Sequence, residues 1–145
     1  MTTISDFLAP DHKRCDNLFA AAEETAANDD WDNAAICFSH FQEAMLHHFA
    51  MEEEVMFPAF EERTGMRQGP TAMMRSEHLQ MIDLFKQMTE AIARKDTNAY
   101  LGDADTLIII MQQHNLKEEQ MLYQMADQAL VSNMDELLER MRAIH

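Results

Sequence analysis

Apolar residues recur every three or four positions through four long stretches of the chain, the spacing of one helix face. The first runs from about Pro10 to Ala27, with Leu8, Cys15, Phe19 and Ala26 on the face that also carries His12, Asp16 and Glu23. The second runs from about Trp31 to Arg63, with Phe41, Ala44, Met45, Met51, Val55 and Ala59 in one direction. The third spans about Thr71 to Lys95, placing Thr71, Met74, Met81, Ile82, Phe85 and Ile92 beside His78. The fourth runs from about Thr97 to Ala129, with Leu107, Ile110, Met111, Met121 and Met125 beside His114 and Glu118.

Breakers fall between these stretches. Pro10 marks the first start and leaves residues 1–9 as a lead-in. Asn28-Asp29-Asp30 supplies a turn and an N-cap, Thr64-Gly65 a stop, and Gln68-Gly69-Pro70 a restart. Pro58 inside the second stretch should bend its last turns, and Gly102 should weaken the first turns of the fourth. Ser132-Asn133-Met134-Asp135 opens a short terminal helix through about Ile144. The expected fold is all-α: an antiparallel up-down four-helix bundle with a short C-terminal helix. One domain is expected over 1–145, its core bundle at about 11–129 and its terminal helix at about 132–144.

Composition narrows the partners. Three glycines and three prolines in 145 residues suit helices. A formal net charge of −15 argues against nucleic acid or an anionic membrane as partner. No apolar run is long enough to span a bilayer and no signal-type leader opens the chain. Cys15 and Cys37 form no Cys-x-x-Cys pair, which suits a reducing, cytoplasmic compartment. The fourteen methionines read as flexible core filler.

The chemistry lies in polar residues on apolar faces. His48 and Glu52 stand four apart, about 40° from one another on a helix. Both point into the apolar stripe. A carboxylate aimed into a core costs several kcal/mol unless it is paired or bound to a cation. The same His-x-x-x-Glu-Glu recurs 66 positions on, as His114 and Glu118, with Phe57 answered by Tyr123. The offset also relates His12 to His78, Leu18 to Leu84 and Phe19 to Phe85. The chain therefore reads as two copies of one helical pair. A lone histidine on an apolar face is usually a satisfied core residue, but six ligand-type residues in common register are not.

Antiparallel helices would bring all six to one level. Four imidazoles and two carboxylates suit two borderline-hard ions such as iron, manganese or zinc. Glu52 and Glu118 would bridge, with His12, His48, His78 and His114 divided between the ions. Two divalent ions against two glutamates leave the interior positive. Asp16 and Glu23 face the right way to relieve it as a further ligand or as acceptors for imidazole N–H. Glu53, Glu54 and Glu119 read as a solvated face, His40, His47 and His145 as surface histidines, Cys15 as filler, and Tyr123 as a core or boundary aromatic.

This pattern resembles the hemerythrin-like, or HHE cation-binding, family. The matching residues are His12 in Asp-His-Lys-Arg, His48 and Glu52 in His-Phe-x-x-Glu-Glu…Phe-Pro, His78 after Glu77, and His114 and Glu118 in His-x-x-Lys-Glu-Glu…Leu-Tyr. The resemblance covers about Asp11 to Ala129 and implies a four-helix bundle holding a non-haem di-iron centre, oxo- or hydroxo-bridged, with an open position. Oxygen-carrying hemerythrins have a second histidine on the third helix, where this chain has Met74 and Ile82. Their fourth-helix acid is an Asp five positions after its histidine, where Glu118 here follows by four. Relatives that repair iron–sulfur clusters often carry a cysteine-bearing N-terminal segment, and this chain begins almost at its first helix. The resemblance thus implies sensing, detoxification or iron handling through a small ligand such as O₂, NO or peroxide. Two alternatives stand beside it: a non-catalytic iron store or iron sensor, and a structural zinc or manganese protein.

Overall fold

A computed structural model describes all of residues 1–145. Its elements are helices α1 (Ile4–Ala27), α2 (Trp31–Met51), α3 (Phe57–Thr64), α4 (Pro70–Arg94), α5 (Thr97–Lys117), α6 (Tyr123–Ala129) and α7 (Met134–Arg142). No strand is present, and no helix is long and apolar enough to cross a membrane.

Two expectations about helix limits need correction. The first helix starts at Ile4, not near Pro10, because Thr3 and Asp6 form a reciprocal capping box. The Asp127 carboxylate also accepts from the N–H groups of Ile4 and Ser5 and from the Ser5 hydroxyl. These contacts satisfy the first donors of α1 and carry it through Pro10. The second stretch does lose regularity, but one turn before Pro58: Glu52–Met56 is a π-helical turn between α2 and α3. Proline is not the general cause, since Glu118–Leu122 is a matching π turn between α5 and α6 with Gln124 at the equivalent of Pro58. Gly102 leaves α5 unbroken, and the terminal helix follows a 3₁₀ turn at Val131–Asn133.

Helix α1 packs against α2 and α5, and α4 against α5 and α2. Across these contacts Phe19 meets Phe41, and Phe85 meets Phe38 and Phe41. The buried apolar residues form two clusters. One holds Phe19, Phe38, Phe41, Phe85 and Tyr100; the other holds Ile4, Leu8, Phe57, Phe60, Tyr123 and Leu137, closed by α7. Sequence order puts a histidine at the boundary on each long helix: His12 between Leu8 and Cys15, His48 between Met45 and Met51, His78 between Met74 and Met81, His114 after Met111. A polar layer is thus held between two dry ones.

Candidate metal centre

The structure brings all six predicted residues into this layer. Glu52, Glu118 and His78 are 0 % exposed, His114 1 %, His48 2 % and His12 6 %. Their donor atoms fall into two candidate cation groups: Glu52, His78, His114 and Glu118, and His12, His48 and Glu118.

The geometry repeats with the sequence. His12 Nε2 lies 3.0 Å from Glu118 Oε1, and His78 Nε2 lies 3.1 Å from Glu52 Oε1. Within each His-x-x-x-Glu, His48 Nε2 is 3.5 Å from Glu52 Oε2 and His114 Nε2 is 3.4 Å from Glu118 Oε1. Ring centroids are 4.8 Å apart for His12 and His48, and 5.0 Å for His78 and His114. Glu52 offers one oxygen to each group, and Glu118 Oε1 faces His12, His114 and, at 4.0 Å, His48.

The outer contacts repeat as well, and they correct the sequence reading. Every imidazole Nδ1 meets a carboxylate: His12 meets Glu119 at 2.7 Å, His78 meets Glu53 at 2.5 Å, His48 meets Asp11 at 2.9 Å and His114 meets Glu77 at 2.8 Å. Glu53 and Glu119, expected on a solvated face, are half in and half out, with side chains 37 % and 44 % exposed. Asp16 and Glu23 make none of these contacts. Asp16 Oδ1 is buried without a partner, and Glu23 lies a further two turns along α1, near Tyr100. The missed signal was available in the 66-residue offset, which relates Glu53 to Glu119 and Asp11 to Glu77. Arg14 holds Asp11, and Lys117 holds Glu77. His47, expected at the surface, is half-buried with Nε2 2.9 Å from the Ile144 carbonyl, while Met121, expected inward, is exposed.

Tyr123 is the other residue that helical periodicity misplaces. At 3.6 residues per turn it would lie about 140° away from Glu118. The π turn closes the Tyr123 N–H onto the Glu118 carbonyl, five residues back, and so seats Tyr123 one turn above Glu118 on the same side. Its hydroxyl donates toward Glu52 Oε2 at 2.7 Å and Glu118 Oε1 at 2.9 Å, and stands 3.2 Å from the Nε2 atoms of His12 and His48. The Phe57 N–H closes onto the Glu52 carbonyl in the same way, but phenylalanine brings no oxygen.

The cage favours positive charge. Burial pulls His78 down, yet hydrogen bonds to Glu52 and Glu53 and the charge of both core glutamates raise it to about 9. Burial likewise opposes protonated His48, and the Glu52 charge with bonds to Asp11, Glu118 and Glu52 raises it well above the ordinary value. His114 is raised against burial by Glu118. Burial pushes Glu118 up, but hydrogen bonding to Glu52 and the charge of His114 hold it well below the carboxylate range. Glu53 is lowered by its bond to His78.

Donor chemistry shows what that charge is. A carboxylate only accepts, so each Nδ1 carries the proton, and each neutral imidazole then aims an Nε2 lone pair inward. Glu52 Oε1, His78 Nε2, His114 Nε2 and Glu118 Oε2 are all buried without a hydrogen-bond partner. Lone pairs 3.1 and 3.4 Å apart with no proton between them repel unless a cation sits among them.

A helical bundle whose dry interior gathers imidazoles and carboxylates on carboxylate-anchored Nδ1 atoms is a cation-binding protein by construction. The family model for the hemerythrin HHE cation-binding domain matches residues 3–126, and the chain belongs to that family. No curated protein and no solved structure matches it.

Proposed function

We propose that the cage holds two iron ions and that the protein binds or reacts with a small oxidant, O₂, NO or peroxide, in sensing, detoxification or iron handling. The observation that carries this reading is the set of inward, unpartnered Nε2 and carboxylate oxygens on two four-residue pairs. When bound, the iron pair supplies electrons and an open position for the oxidant.

The chain's own residues do the rest. His12, His48, His78 and His114 donate through Nε2, Glu52 and Glu118 bridge, and Asp11, Glu53, Glu77 and Glu119 fix each ring and raise its basicity. The two apolar clusters exclude water from either side of the layer. A groove of about 280 Å³ between α1 and α5 reaches His12, lined by Lys13, Asp16, Asn115, Leu116 and Glu119. It gives a diatomic or peroxide ligand a way in and leaves no room for a large substrate. We read the helices as an antiparallel up-down bundle and 1–145 as one domain, supported by the cross-helix pairs of Phe19 with Phe41 and His78 with His114 and by α7 packing on the first π turn. The free thiols of Cys15 and Cys37 support a cytoplasmic setting. The net charge of −15 supports a partner that is neither nucleic acid nor membrane.

The test is spectroscopic. The anaerobically reduced iron protein should change its visible and electron paramagnetic spectra on adding O₂ or NO, and bands indifferent to both gases would refute the reading. Elemental analysis of the purified protein separates iron from zinc or manganese. Complete burial of both glutamates favours a second reading, an iron store or sensor whose occupancy holds the bundle together. It predicts uptake and release of iron with no spectral response to either gas.

A further inference from the structure

We infer that the Tyr123 hydroxyl oxygen is the fourth donor of the cation position formed by His12, His48 and Glu118, which makes the two positions chemically unequal. The inference rests on the two-cation reading above and deepens it.

The donor count is the starting point. The His78 side has four inward donors of its own, two imidazoles and two carboxylates, whereas the His12 side has three. Nitrogen and oxygen ligands sit about 2.0–2.2 Å from such an ion, so neighbouring donors around it lie roughly 3–3.6 Å apart. Tyr123 Oη lies 3.2 Å from His12 Nε2, 3.2 Å from His48 Nε2 and 2.9 Å from Glu118 Oε1. It therefore occupies a corner of the polyhedron that those three residues leave incomplete.

Its surroundings support the same placement. One hydroxyl has one proton, yet four acceptor atoms crowd this oxygen: two carboxylate oxygens and two imidazole nitrogens. At most one of the four contacts is a hydrogen bond from Tyr123 at any moment. A cation bound by the oxygen and its neighbours removes the conflict. The ring cannot swing away, since it is fully buried and stacked on His12 with centroids 5.7 Å apart at 21°. Phe57 stacks on His78 in the same pose, 5.8 Å apart at 20°, and offers nothing to bind. The hydroxyl is the one chemical difference between two matched rings. It stands on the side that the α1–α5 groove reaches. On coordination the phenol O–H bond breaks heterolytically, its proton leaves to solvent and the electron pair stays on Oη.

The experiment uses the full chain and its Tyr123→Phe variant, which copies the natural Phe57 arrangement. Cobalt(II) titration by calorimetry should show two unequal sites in the wild type. In Tyr123→Phe the weaker site should lose at least roughly tenfold in affinity, as loss of even an outer partner does, and the stronger site should hold. The iron(III)-loaded wild type should show a phenolate-to-iron charge-transfer band and tyrosinate modes in resonance Raman, both absent from Tyr123→Phe. Two cations bound with no tyrosinate modes overturn the assignment, even if Tyr123→Phe weakens binding, because a hydrogen bond to Glu118 would account for that. Modes that persist in Tyr123→Phe overturn it too. A wild type that takes up only one cation overturns the two-cation reading and this inference together.

Discussion

Around His78 the ring of Phe49 lies stacked at 3.9 Å and that of Phe57 at 5.8 Å, and the histidine is sealed from solvent. Around His12 the residues 66 positions further on are Asn115 and Tyr123, and the histidine borders a groove. The ligands, their spacings and their outer carboxylates agree between the halves to about 0.2 Å, while these two aromatic positions differ. Identical donors in unlike walls teach that affinity and access are set separately. The ligands decide what is held; the residues behind the rings decide what can reach it.

The comparison can be broken most severely by emptying both halves at once. Chelating the cations should leave the glutamates and imidazoles facing one another and lower stability by several kcal/mol. The melting temperature before and after chelation checks this, and an unchanged value would mean the polar layer is self-sufficient.

Proton linkage comes next in size. In the cation-free protein His78 is raised to about 9 against an ordinary 6.5. A raised folded-state value stabilises below the unfolded one and is lost as pH climbs through the folded one. Denaturant melts of the apo protein should therefore weaken between about pH 6.5 and 9, by roughly 3 kcal/mol for this group. Protons and cations compete for the same Nε2 atoms, so cation affinity should move the opposite way and improve over that window.

Smaller again is the removal of one outer acceptor. Glu53→Gln and Glu119→Gln each loosen one ring, and each should weaken one cation roughly 10–100-fold by titration. Equal losses would show that the outer layer is as symmetric as its distances. The mildest change is Asn115→Phe, which gives the His12 side the ring that covers His78. Stopped-flow azide binding to the iron(III) protein should slow several-fold, with cation content unchanged.

The part of this arrangement legible in the sequence was whatever obeyed a period. Helix faces follow 3.6 residues, and the offset of 66 picks out His12, His48, Glu52, His78, His114 and Glu118. Tyr123 and Glu119 escaped because the π turns at Glu52–Met56 and Glu118–Leu122 shift the angle of everything that follows, and no residue type announces such a turn. Asp11 and Glu77 escaped for another reason. They precede their neighbouring histidines in sequence but serve histidines on a different helix, His48 and His114, which only packing reveals. The start of α1 was hidden because its cap draws on Asp127, more than a hundred residues away.

The joining of two like hairpins through Gly65–Gly69 has its own outcome. Were the hairpins separate molecules paired about a two-fold axis, each substitution would land twice, and a phenol on one face would force a phenol on the other. A continuous polypeptide is released from that constraint. It can specialise one end of an otherwise mirrored chamber while leaving its twin untouched, and a single tyrosine, unmatched across the pseudo-axis, is how this molecule has used that freedom.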